Sequence, residues 1–126
     1  MSYDPNRGPD REVWLSLDED ERLDAVLRYH QRIRFRAGNV RLHAAVHAIV
    51  ENQLAERVAS VTGALDRLMS EGLDRHEAIH AIGAIAAEQI YHTLKDSRPF
   101  DAAEYDRRLA ALDAATWRRS GDTPDR

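Results

Sequence analysis

One segment of this chain is written twice. His43-Ala-Ala-Val-His47-Ala-Ile and His76-Glu-Ala-Ile-His80-Ala-Ile agree at five of seven positions, with Val against Ile at a sixth. Both copies continue an apolar pattern of helical rather than strand period. A glycine stop and a short turn precede each, Gly38 before the first and Gly72 before the second. The repeating unit is therefore a helical hairpin with histidines near the start of its second helix. Two such hairpins bury their apolar faces against each other about a pseudo-two-fold axis. The expected fold is all-α: a bundle of about five helices, two repeated αα-hairpins forming a four-helix core, with a C-terminal helix over one side.

The flanking sequence fills in the helices. Ser16 with Glu19 reads as a capping box opening the first, whose stripe is Leu23, Val26, Leu27, His30, Ile33 and Ala37, with Gly38 as its stop. Acidic residues 18–21 crowd its first turn, and Arg28, Arg32, Arg34 and Arg36 crowd its end. Both groups complement the helix dipole, so the arginines read as a solvated face rather than a phosphate site. Asn39 caps a second helix to about Arg57. A third carries Val61, Leu65, Leu68 and Met69 and stops at Gly72. Asp74 and Glu77 box the start of a fourth, and Asp101 with Glu104 opens a fifth through Tyr105, Leu109, Leu112 and Trp117. Residues 1–12, with two prolines and a glycine, read as a flexible arm; residues 13–119 form a single domain, and 120–126 a disordered tail.

Composition narrows function mainly by exclusion. With no cysteine, thiolate zinc sites, iron–sulfur clusters and disulfides are ruled out. A formal charge of −4 argues against nucleic acid as a partner, which calls for a basic face. No apolar run is long enough to span a membrane and the N-terminus has no signal-peptide core, so a cytoplasmic location is expected. The sequence leaves open a small-molecule substrate and homo-oligomerisation.

The histidines carry the chemistry. At 100° per residue, His43 and His47 differ by about 40° and stand one turn apart, close enough for two imidazoles to share a cation. His76 and His80 repeat that placement on a helix expected to be a neighbour. Glu51 lies one turn beyond His47; the matching position in the other copy is Ala84. The expected metal site is therefore His43, His47, His76 and His80, with Glu51 and His30 as additional ligands or their supports. A nitrogen–oxygen donor set of this kind suits a divalent transition metal, zinc or iron first, with manganese, nickel and copper also compatible. There are too few inward carboxylates to bridge two irons, so one ion is favoured over two. Glu88 is a weaker candidate ligand, Tyr91 a candidate for orienting a ligand, and His92 a solvated residue.

Two other readings compete. A histidine at the border of a core more often serves as a hydrogen-bonded packing residue, so the four could belong to a structural or interaction module without metal. His76-Glu77-Ala-Ile-His80 also has the form of a zinc metalloprotease motif, extended by Gly83. Against that, Glu77 already completes a capping box, Ala86 stands where a third histidine would be, and no strand is available to present substrate.

The segments Leu42–Gln53 and Glu71–Gly83, with the stretch ending in Tyr29-His30 and the closing Tyr105, Leu112 and Trp117, resemble a family of small bacterial proteins catalogued as a domain of unknown function. The resemblance covers about residues 12–119. It implies a bacterial, helical, cytoplasmic protein with His30, His43, His47, Glu51, His76 and His80 at characteristic positions, and it implies no activity.

Overall fold

In the computed structural model, residues 1–35 and 38–120 are described. Arg36 and Ala37, placed by sequence at the end of the first long helix, and the tail beyond Ser120 lie outside them. The described residues form seven helices and no strand: α1 (Arg11–Ser16), α2 (Glu19–Arg32), α3 (Val40–Ala55), α4 (Ala59–Ser70), α5 (Arg75–Asp96), α6 (Ala102–Ala111) and α7 (Ala114–Arg119). No helix among them is long and apolar enough to cross a membrane.

Most helix starts follow from local chemistry. Asn39 Oδ1 accepts from the amides of Arg41 and Leu42, and Asp74 and Glu77 close a full capping box on α5. The first long helix differs from expectation. Its box is Asp18 with Glu21, two residues later than Ser16 with Glu19. Ser16 instead ends the short helix α1, its hydroxyl donating to the Val13 carbonyl. The expected fifth helix is divided, because Leu112 turns extended and Asp113 starts α7 with a new cap.

The end of α2 is also earlier than Gly38. Arg34 adopts φ 58°, Phe35 N–H donates to the His30 carbonyl at 2.9 Å, and Arg34 N–H donates to that of Gln31 at 3.2 Å. This is a Schellman closure with arginine in the left-handed position usually held by glycine. Its customary apolar contact is present too: the Phe35 and His30 rings meet with centroids 5.2 Å apart. The helix stop thus delivers Phe35 to the histidines.

Two apolar clusters hold the fold. One gathers Trp14, Val26, Leu27, Ala44 and Ala48 from α1, α2 and α3. The other gathers Leu68, Ile79, Ile82, Leu109 and Trp117 from α4–α7, with Val50 reaching in from α3. α2 packs on α3, α4 packs on α5, and α3 packs on α5 between them. At that last seam the backbones approach closely: a Cβ on Gly83 would lie 2.8 Å from Val46 Cγ1. Gly83, read in the protease pattern as a motif extension, is a packing glycine inside an unbroken α5.

The N-terminal segment, expected as a flexible arm, is built into this core. Tyr3 is 1% exposed and belongs to the first cluster. Asn6 Oδ1 accepts from His76 N–H at 3.0 Å, and Arg75 donates to the Pro5 carbonyl at 2.9 Å, so the segment covers the start of α5. An aromatic ring that finds a buried partner for its hydroxyl outweighs the turn-forming prolines and glycine around it.

Candidate metal centre

Five histidines gather where α2, α3 and α5 meet. One ligand nitrogen from each of His30, His43 and His47 lies within 4.8 Å of the others, and the same holds for His47, His76 and His80. His47 belongs to both groups. The expected four therefore come together, His30 joins them, and the arrangement is two triads that share one residue.

Donor and acceptor chemistry assigns the ring nitrogens. His30 Nδ1 is 2.8 Å from the Val26 carbonyl, which can only accept, so Nδ1 carries a hydrogen, and in the neutral ring Nε2 has the lone pair. Tyr3 has one hydroxyl hydrogen and donates it to Glu51 Oε2 at 2.6 Å. Its oxygen lies 3.1 Å from His47 Nδ1 and so accepts from that nitrogen. His47 is thereby held with Nε2 as its lone-pair nitrogen, 3.2 Å from His80 Nε2. A ring fixed through its other nitrogen to a carbonyl or a carboxylate-backed hydroxyl is the usual support of a metal-binding imidazole.

Glu51, expected among the ligands, is placed differently. It is 1% exposed and takes both guanidinium nitrogens of Arg75, at 2.7 and 2.8 Å, as well as the Tyr3 hydroxyl. No coordinating group among the described residues includes it. A buried carboxylate must be paired, and Arg75 does this in the two-point geometry that holds it best. Burial works against the Arg75 charge; the hydrogen bond and negative charge of Glu51, with a smaller contribution from Tyr3, overcome that, and its pKa stands above the ordinary arginine value. The result is a chain of hydrogen bonds that converges on Glu51: His47 donates to Tyr3, and Tyr3 and Arg75 both donate to the carboxylate.

Glu51, Asn52 and Gln53 each take a hydrogen from a distant aromatic residue. Tyr3 serves Glu51, Trp14 Nε1 donates to Asn52 Oδ1 at 2.9 Å, and the Tyr105 hydroxyl donates to Gln53 Oε1 at 2.8 Å. Three consecutive polar residues on α3 thus tie the N-terminal segment, α1 and α6 to one helix. They hold the platform on which His43 and His47 stand.

Around the rings, Phe35 stacks on His43 with centroids 4.5 Å apart and 26° between planes. Tyr29 meets His30 edge-on at 5.1 Å and His76 at 6.0 Å. His30, His47 and His76 are buried, whereas His43 and His80 are half-buried and form the rim.

The remaining candidates lie elsewhere. Tyr91 stands three turns beyond His80, about 17 Å along the helix, and is exposed beneath Lys95, so it orients nothing in the cluster. Glu88 pairs with Arg108 at 2.9 Å; that hydrogen bond lowers its pKa below the ordinary carboxylate value despite slight desolvation. His92 is half-buried beside Glu88, 4.0 Å away. Glu77 is spent on the α5 cap, its carboxylate accepting from Asp74 N–H at 3.2 Å.

Sequence reasoning missed Tyr3, Arg75 and Phe35. Arg75 did leave a signal: a cation in the first turn of a helix opposes the dipole and calls for a carboxylate partner. Comparison with known protein families, curated proteins and solved structures returns no match.

Proposed function

We propose that this protein is a metal-binding helical bundle whose histidine cluster holds one divalent transition-metal ion, zinc or iron by donor type. The observation that carries the reading is the 3.2 Å spacing of His47 Nε2 and His80 Nε2, with the His47 lone pair turned into that space by Tyr3. Two imidazole nitrogens on a tetrahedral zinc ion at ~2.0–2.1 Å are about 3.3 Å apart, so the spacing matches a coordination edge. His30 adds a second ring with its lone-pair nitrogen assigned. Three imidazoles per triad leave a fourth position for water or an outside ligand, the pattern of zinc sites that do chemistry.

A second reading is favoured by the same contact. If one Nε2 carries a hydrogen, His47 and His80 form a direct hydrogen bond, and the cluster is a polar seam joining α3 to α5 in a structural or interaction module. Thermal melts separate the two. On the metal reading, zinc at ~100 times its Kd stabilises the fold by about 2.7 kcal/mol, and chelator reverses the shift. Identical melts with zinc and with chelator would leave the hydrogen-bonded seam as the function of these residues.

A further inference from the structure

We propose that the two histidine triads are alternative seats for a single ion, hinged on His47, rather than parts of one four-histidine centre. This rests on the metal-binding reading above. Each triad gathers three ligand nitrogens within 4.8 Å, and His47 is the only residue common to both. Its Nδ1 hydrogen is committed to Tyr3, which itself is committed to Glu51. One nitrogen with one lone pair therefore serves both seats, and it binds one ion at a time.

The seats differ in what they join. His30, His43 and His47 come from α2 and α3, so an ion there lies within one helix pair and under Phe35. His47, His76 and His80 come from α3 and α5, so an ion there bridges the seam that Gly83 brings close. Each has two buried rings and one half-buried ring, His43 or His80, facing its rim. Moving the ion exchanges two neutral imidazoles for two others while the His47 bond is kept. Donor count, charge and oxidation state are unchanged, and no co-reactant is needed. The arrangement suits an ion that is accepted on one side and handed on from the other.

Cobalt(II) titration of the purified full chain, read by its visible absorption, tests this. Wild type binds one ion. His43→Ala disables only the first seat and His80→Ala only the second. If the seats are alternatives, the two variants' association constants sum to the wild-type value, so at least one variant keeps half of it or more. The double variant loses more than the product of the single losses. Both rings are half-buried, so the fold tolerates the changes; far-UV circular dichroism checks this, and His43→Gln and His80→Gln replace any variant that loses helicity. Two ions per wild-type chain would overturn the shared-nitrogen argument. Losses above about 10-fold in both single variants, with helicity intact, would show one centre using all the ligands. A wild-type chain that takes up no cobalt or zinc would instead remove the metal-binding reading itself.

Discussion

Replacing Tyr3 by phenylalanine removes one oxygen and keeps the ring that packs on Trp14 and Tyr29, 6.2 and 5.9 Å away by centroid. The lost hydroxyl lies 2.6 Å from Glu51 and 3.1 Å from His47, and it also interacts with Arg75. Glu51 retains Arg75 and is not orphaned, so its loss is that of one charge-assisted hydrogen bond, about 1.5–3 kcal/mol. His47 Nδ1–H loses its acceptor in a buried site, a further ~1 kcal/mol, though coupling within the network makes the sum less than additive. A net cost of about 2–3 kcal/mol lowers the Tm of a chain this size by roughly 10 °C. Because the hydroxyl also sets the His47 tautomer, Tyr3→Phe should weaken zinc binding by about 10–100-fold. Differential scanning calorimetry and zinc calorimetry measure the two effects, with exposed Tyr91→Phe as the silent control. A Tm and a zinc affinity both equal to wild type would refute the seating of Tyr3 between Glu51 and His47.

Other substitutions probe the rest of the frame. Arg75→Met strands a buried carboxylate and should cost about 3–5 kcal/mol in a urea melt, with Glu51→Gln in the same background recovering part of it. Gly83→Ala drives a methyl into Val46, a β-branched residue with little rotamer freedom in a helix. A loss of about 1–3 kcal/mol and weaker metal binding are expected, since α3 and α5 must part; unchanged values would show that the seam yields freely. Burial raises the Tyr105 pKa to about 12, despite the opposing hydrogen bond to Gln53 and with a small contribution from Asp106. Its proton is held more tightly in the folded state, so the associated stability is complete below about pH 10 and lost as pH rises towards 12. Wild type should therefore lose about 2–3 kcal/mol relative to Tyr105→Phe across that interval, read from urea melts at each pH.

How far the sequence could be read depended on the range of the interactions. Caps are decided within four residues, which is why Asn39 and the Asp74–Glu77 box were legible. The pairing of histidines at four-residue spacing was legible for the same reason. Ser16–Glu19 and Asp18–Glu21 both satisfy the box pattern, and the choice fell to α1, a short helix with no periodicity of its own. The left-handed stop at Arg34 was illegible because its cost is met by the Phe35–His30 contact rather than by a glycine. Tyr3 and Arg75 lie 44–48 and 24 residues from the side chains they hold. No local pattern encodes such contacts, so Glu51 read as a ligand when it is the anchor of a ligand's support.

The shared position of His47 in both triads makes metal content the most direct measurement of the whole account. Protein expressed with zinc, iron, manganese, nickel and copper supplied, then purified without chelator, should carry one transition-metal ion per chain by mass spectrometry of the elements. His47→Ala, prepared alongside and checked for helicity, should carry almost none. Wild-type protein without stoichiometric metal, or a His47→Ala variant as fully loaded as wild type, would contradict it.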